Sequence, residues 1–166
     1  MNDSTREQLG PPALRLAGFQ LWVHGRQFPE SQDGWDGNWL NVATHCGGAG
    51  ASVWANGAIL DTVSVLRFRE GLEALHRTLS GVAVLESVES NVGVRIDASD
   101  RAGHVRTRVE ITPDHLAQGH WFEFDQTYLP PVIAQCAALG SVPSPGPEEP
   151  WCLRRVLGWR RTLGLE

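Results

Sequence analysis

Two aspartates three residues apart in a glycine-rich segment are the residues best able to do chemistry. Asp33 and Asp36 follow closely after Glu30. Carboxylates held at a fixed separation can act as a general acid and base, or can bind a divalent metal ion. They can also shape a loop by accepting hydrogen bonds from nearby backbone amides. Because no histidine lies in this segment, loop formation is the favoured interpretation. A metal-assisted hydrolase using Asp33 and Asp36 is kept as an alternative.

The sequence contains no recognised catalytic motif. There is no nucleophile elbow, no phosphate-binding loop, no zinc-protease pattern and no dinucleotide-binding pattern. The six histidines are scattered, and His115 and His120 are five residues apart across a predicted loop. A glycine-rich turn at 47–50 is not followed by the helix that a phosphate site needs. We therefore predict no catalytic residues, no metal site and no cofactor.

The composition predicts one folded domain with an acidic surface. The chain has 166 residues, 42% of them hydrophobic, and a net charge of −5. The three cysteines have no CxxC spacing, which argues against a disulfide scaffold. No apolar run approaches the roughly 18 residues of a membrane helix. The polar N-terminus lacks the pattern of a secretion signal, so a cytoplasmic location is expected.

The charges are distributed unevenly along the chain. No arginine occurs from Gln27 to Leu66, where the acidic residues are Glu30, Asp33, Asp36 and Asp61. Such a concentration of negative charge favours a basic partner. In contrast, 151–166 contains four arginines and two tryptophans, a mixture that can stack on nucleic-acid bases. A regulatory scaffold that binds nucleic acid through this tail is a second alternative, although the negative net charge disfavours nucleic acid as a partner.

The hydrophobic pattern predicts which elements carry these residues. Alternation predicts strands within 14–28, 39–46, 51–56, 82–88, 91–98, 104–111 and 120–128. Apolar residues three and four apart predict a helix from about Val65 to Leu79, with Gly81 near its C-cap. A short helix follows Pro130 and Pro131. We expect an α+β fold with a curved or two-layer antiparallel sheet of about seven strands packed on the 65–79 helix.

Side-chain alternation also predicts how the last hairpin is aligned. The apolar residues of 104–111 and 120–128 face inward together if Val109 lies opposite Phe122. That alignment pairs opposite charges on the exposed face, Arg108 with Glu123 and Arg106 with Asp125. It places Trp121 on the exposed face as well.

The chain divides into four parts by composition. We predict a flexible lead-in at 1–13, a single α+β domain at 14–140, a proline-rich linker at 141–150 and a basic tail at 151–166. The four prolines of the linker favour an extended, stiff chain.

Several residues of the first half resemble a known family. They are Phe28-Pro29-Glu30, Asp33, Asp36 and the stretch Asn38-Trp39-Leu40-Asn41-Val42, followed by a strand with Trp54. This arrangement is similar to that of the WapI-family immunity proteins, small bacterial antitoxins that protect a cell against contact-dependent toxins. The resemblance covers about residues 14–80. It implies a non-catalytic protein that neutralises a cognate toxin domain by protein–protein occlusion.

Two groups of residues are candidates for binding such a partner. The first is the acidic loop, with Glu30, Asp33 and Asp36. The second is the predicted exposed strand face, with Trp121, Glu123 and Asp125. The expected partner is a protein toxin domain and not a membrane. The sequence leaves the oligomeric state open.

Overall fold

Two copies of one topology make up the fold, each a four-stranded antiparallel meander followed by a helix. The structure, a computed structural model, describes residues 9–31, 33–48, 50–89, 91–98, 100, 102–112 and 118–140. The predicted linker and tail, 141–166, lie outside the described residues, as do residues 1–8 of the lead-in.

Sheet 1 is formed by the first half of the chain. Its strands, in spatial order, are β1 (Leu14–Leu16), β2 (Phe19–Arg26), β3 (Trp39–Gly48) and β4 (Ala51–Asp61). A short 3-10 turn, Asp36–Asn38, leads into β3. Helix α1 (Thr62–Thr78) follows β4 directly.

Sheet 2 repeats this order in the second half. Its strands are β5 (Val82–Glu86), β6 (Val92–Ala98), β7 (His104–Ile111) and β8 (Gln118–Asp125). A 3-10 turn, Gln126–Tyr128, connects β8 to helix α2 (Leu129–Gly140).

The α+β class and the antiparallel pairing are confirmed, but the expectation of about seven strands on one main helix is wrong. The described residues form eight strands in two sheets of four, with the two helices α1 and α2. The extra strand comes from the 14–28 segment, which turns back on itself at Ala17, where φ is 49°. The apolar alternation changes phase at this turn, from Leu14 and Leu16 to Phe19 and Leu21, and the prediction of one strand over 14–28 overlooked that signal.

Helix α1 begins three residues before the predicted start because Asp61 caps it. The Asp61 carboxylate accepts hydrogen bonds from the Ser64 backbone amide at 2.8 Å and from its hydroxyl at 2.6 Å. Such a cap satisfies an amide that lacks a partner within the helix. The helix ends at Leu79, which takes the left-handed conformation with φ 50° in place of the expected Gly81. Asp61 is therefore a buried structural charge.

The core lies between the inner faces of the two sheets and the two helices. The predicted helix stripe is buried, with Val65, Phe68, Leu72 and Leu75 in the core. Gly71 lets α1 approach β5 closely, since a Cβ there would lie 3.1 Å from the Cα of Ala83. No helix in the described part of the chain is long and apolar enough to cross a membrane.

Candidate partner-binding surface

The acidic loop joins β2 to β3 and is shaped by its own polar groups. The Asp33 carboxylate accepts a hydrogen bond from the Trp35 amide at 2.9 Å, and the Asp33 carbonyl accepts one from the Gly37 amide at 2.8 Å. Glu30 and Asp33 are exposed, whereas Asp36 is half-buried. Asp33 thus forms a turn, as one interpretation of the sequence expected.

Aromatic and amide contacts hold this loop against sheet 1. The Trp35 ring meets the Trp39 ring edge-on at 6.2 Å, and Trp39 is only 7% exposed. The side chain of Asn38 donates to the Gly34 carbonyl and accepts a 3.0 Å hydrogen bond from Thr62 at the start of α1. The acidic side chains therefore project from a loop whose inner side is fixed.

Histidine, cysteine, aspartate and glutamate are the side chains that could bind a metal ion in this protein. No three of them, within the part of the chain that the structure describes, are arranged to hold a metal ion. The two described cysteines, Cys46 and Cys136, are both buried. Burial raises the pKa of each thiol to about 12, so both stay protonated at neutral pH.

The second candidate group lies on the outer face of sheet 2, which we call the open face. Outward side chains alternate with buried ones along β5, β6 and β7, and with half-buried ones along β8. Trp121 on β8 is 60% exposed, and Glu123 and Asp125 beside it are exposed. Val82 and Val84 on β5 are also exposed, so apolar and charged groups share this surface.

The predicted register of the β7–β8 hairpin is wrong by two residues, although the predicted faces are right. Phe122 lies opposite Thr107 and not Val109, and Arg106 lies opposite Glu123. Arg108 lies opposite Trp121. Because side chains alternate with a period of two, a slip of two residues leaves every side chain on its own face. The alternation could therefore not distinguish between these two alignments.

Each arginine of the open face contacts an acidic neighbour. Arg106 lies 3.4 Å from Glu123 across the β7–β8 pair. Arg95 makes two hydrogen bonds to Asp97, at 3.0 and 2.8 Å.

Arg108 contacts both an acid and an aromatic ring. It pairs with Glu110, and its guanidinium carbon lies 5.4 Å from the centre of the Trp121 ring. Arginines and tryptophan arranged in this way are typical of protein–protein contact sites.

A histidine and three acids stand at one end of the open face. His104 Nδ1 lies 2.6 Å from the Asp100 carboxylate. This hydrogen bond raises the pKa of His104, and the charges of Asp100, Asp125 and Glu123 raise it further. The same hydrogen bond lowers the pKa of Asp100.

The two candidate groups do not form one patch. The acidic loop enters β3 at Trp39, whereas the inward ring of Phe122 on β8 lies against Gly18 and Gly48, at the opposite end of β3. A strand of ten residues spans roughly 30 Å. Because Trp121 points away from Phe122, the open face also faces away from sheet 1.

Sequence analysis placed Arg108 on the same exposed face as Trp121 but missed Arg95 and Val84 as members of that surface. Alternation with Val94 and Ile96 was the available signal for Arg95, whereas the continuous apolar run 82–85 gave no such signal for Val84. Their meeting across three strand pairs depends on register, which only the structure gives.

Comparison with known proteins identifies the family. The chain matches the immunity protein WapI-like family over residues 14–140. The match covers most of the chain, so the protein belongs to this family. It confirms the resemblance seen in the first half and extends it to the end of α2.

The chain was also compared with curated proteins and with solved structures. No curated protein matches this chain. Among solved structures, a chain from the crystal structures of Trypanosoma bruciei MRP1/MRP2 is similar with 14% sequence identity and a TM-score of 0.43, covering 84% of this chain and 93% of that one.

Proposed function

We propose that this protein neutralises a cognate bacterial toxin domain in the cytoplasm by binding and occluding it, without catalysis. The observation that carries the proposal is the exposed Trp121 on the open face, 60% accessible and in contact with Arg108. Exposing so large an apolar side chain is unfavourable unless a partner covers it, and tryptophan is enriched among residues that dominate binding energy. Membership of an immunity family supports a toxin as that partner.

The open face supplies the main contact in this proposal. Trp121 is the anchor, and Glu123 and Asp125 on the same strand contribute charge around it. The charged residues around the tryptophan serve to exclude water and to fix the orientation of the partner.

The acidic loop has a different role in the proposal. Glu30, Asp33 and Asp36 lie at the other end of β3, so they attract a basic surface of the toxin and do not belong to the Trp121 contact. Charges outside the central contact act mainly on the association rate, and salt screens them.

The test of the main contact compares two exposed aromatics. Trp121→Ala should weaken binding to the cognate toxin domain by roughly thirtyfold, the effect of losing a binding hot spot of about 2 kcal/mol. Tyr128→Ala truncates another exposed ring, which contacts Phe124 on the inward side of β8, and is the matched control. Binding is measured by calorimetry and protection by survival of cells that express the toxin.

Two results would contradict the proposal in different ways. Wild-type protein that neither binds nor protects against the toxin would remove the proposed function. Tight binding that is equally insensitive to both substitutions would keep the function but exclude the open face.

The role of the acidic loop has a separate test. Replacing Glu30 with Gln, and Asp33 and Asp36 with Asn, should slow association and leave dissociation nearly unchanged. The asparagine at position 33 can still accept the hydrogen bond from Trp35, so the turn is retained. The difference from wild type should shrink as salt rises. Neutralising Glu70 and Glu73 on α1 is the control, and an equal effect of both variants would contradict a specific role for the loop.

A further inference from the structure

We infer that the central row of the open face, formed by Val84, Arg95, Arg108 and Trp121, recognises a carboxylate-bearing segment of the toxin. This inference rests on the proposed function and specifies the chemistry of the partner. It assigns binding roles to Val84, Arg95 and Arg108, and it makes acidic groups of the toxin their target.

The row crosses all four strands of sheet 2. Val84 lies opposite Arg95, Arg95 opposite Arg108, and Arg108 opposite Trp121. Directly opposite residues have Cβ atoms about 5 Å apart, so the four side chains form a continuous stripe. Both ends of the stripe are exposed apolar groups, and both central residues are exposed arginines.

The opposition of Arg95 and Arg108 is unfavourable for the sheet itself. Like charges directly across a strand pair repel each other. The sheet tolerates the pair because Asp97 and Glu110 neutralise the two arginines from positions two residues along the same strands. Each of the two guanidinium groups offers a planar fork of donors that matches a carboxylate.

The existing ion pairs can be exchanged for contacts with a partner. The side chains of Arg95 and Arg108 are 53% and 45% exposed in their ion pairs. Ion pairs this exposed add little stability, because water solvates both partners well. If a toxin carboxylate takes the place of Asp97 or Glu110 in these ion pairs, the stability of the fold therefore changes little.

Space beside the row can receive side chains of the partner. The neighbouring row runs from Glu86 through Gly93 and Glu110 to Gly119. A Cβ at Gly93 or Gly119 would have no neighbour nearer than 3.9 Å, so both positions are open. The two glycines leave shallow depressions next to the taller arginine row, and a protruding side chain can contact the sheet there.

The charges around the row favour a protein over a nucleic acid. Glu86 and Glu110 lie along one side of the row, and Asp97, Arg106 and Glu123 lie along the other. The four flanking acids outnumber Arg106 and repel a phosphate backbone, which is uniformly negative. A protein segment can place a carboxylate over the arginines and an apolar group over Val84 or Trp121.

The experiment uses the full chain and its cognate toxin domain. The double variant Arg95→Glu/Arg108→Glu should weaken binding by roughly a hundredfold or more, since it places like charges against the toxin carboxylates. Arg95→Lys/Arg108→Lys keeps the charge but loses the planar fork, and should lose roughly tenfold. The control variant Arg15→Glu/Arg77→Glu reverses the charge of two exposed arginines outside the open face, and it should bind the toxin nearly as tightly as wild type does.

A second measurement needs no substitution. Phenylglyoxal modifies exposed guanidinium groups, and peptide mass spectrometry locates the sites. In the complex, Arg95 and Arg108 should be protected while Arg15 and Arg77 react as in the free protein. This measurement keeps the test valid if a variant folds poorly.

The outcomes separate this inference from the proposed function. Toxin binding that is unaffected by the glutamate variant, with Arg95 and Arg108 still reactive in the complex, overturns the inference and leaves the function standing. Binding of a labelled dT20 oligonucleotide that the variant abolishes would assign the row to nucleic acid and overturn it as well. A dimer in sedimentation equilibrium that the variant dissociates would assign the row to a second copy of this chain. Absence of any complex with the toxin would remove both proposals together.

Discussion

The two sheets have the same strand order and each precedes a helix, yet their outer faces differ in burial and in charge. On sheet 1 the middle of the outer face is buried, with His45 only 1% exposed and Trp22 and Trp39 also covered, although Ser52 and Asn56 at the β4 edge are exposed. On sheet 2 the corresponding face is exposed and charged. The topology therefore does not decide which face of a meander meets solvent; the side chains and the segments that cover them do.

Stacked aromatic rings cover the outer face of sheet 1. Trp22 and Trp54 stack at 5.7 Å, and the His45 ring lies 4.5 Å from Trp54. The Trp22 indole donates a 2.9 Å hydrogen bond to the carbonyl of Gly10, which brings the residues before β1 onto this face. The hydrogen bond between His45 and Ser52, at 2.9 Å, satisfies a polar group that burial would otherwise leave costly.

The comparison shows that tryptophan has opposite roles on the two sheets. On sheet 1 the tryptophan rings are shielded from water, because each ring packs against another ring or forms a hydrogen bond. On sheet 2 Trp121 has one arginine beside it and remains open to water. The stability of the fold should therefore depend on the first group, and binding on the second.

The sharpest test of this contrast pairs one tryptophan from each sheet. Trp39→Ala should lower the free energy of unfolding by about 3 to 5 kcal/mol, the usual cost of deleting a large buried aromatic. Trp121→Ala should change it by no more than about 0.5 kcal/mol. Urea denaturation measures both. Similar losses for the two variants would mean that the outer faces do not differ in the way described.

A smaller loss of stability is expected at the point where β8 packs against sheet 1. A Cβ at Gly18 would contact the Gly47 carbonyl and lie 2.7 Å from the Phe122 ring, so Gly18→Ala should destabilise the protein by about 1 to 3 kcal/mol through overpacking. At Gly48 the nearest Phe122 atom would be 3.6 Å away, which is ordinary contact. Gly48→Ala is therefore the control, and thermal melting of both variants would show whether β8 is held against sheet 1 at this point.

The smallest expected effect concerns pH at the edge of the open face. Asp100→Asn should lower the pKa of His104, because the hydrogen bond to Asp100 is the main cause of its upward shift from 6.5. The folded pKa is raised, so the stability from charged His104 is present below pH 6.5 and is lost as pH rises through the raised value. NMR titration of the imidazole measures the shift. An unchanged titration in the variant would show that Asp125 and Glu123 control it.

Local sequence patterns predicted the elements and their faces well. The apolar stripe of α1 and the alternation in β6, β7 and β8 were readable because side-chain direction follows directly from backbone geometry. The aromatic and asparagine motif that begins β3 was enough to indicate the family. The predicted start of α1 was three residues late, because the helix begins directly after its cap, Asp61.

Local sequence patterns could not predict how the strands align or where the candidate groups lie relative to each other. The β7–β8 register differs from the prediction by two residues, and both alignments bury the same side chains. The separation of the acidic loop from Trp121 was equally hidden, because nothing in the sequence states that they occupy opposite ends of β3. The candidate site was thus predictable residue by residue, but not as a surface.

The sequence by itself determined the antiparallel α+β character, the position of α1, the exposed side of β8 and the membership of an immunity family. These depend on periodicity and on motifs, which are properties of neighbouring residues. Only the tertiary structure decided that eight strands form two sheets, that Arg95 meets Arg108, and that one outer face is covered while the other is open. The reason is that strand pairing and sheet packing are long-range choices, among which alternatives two residues apart satisfy the same local pattern.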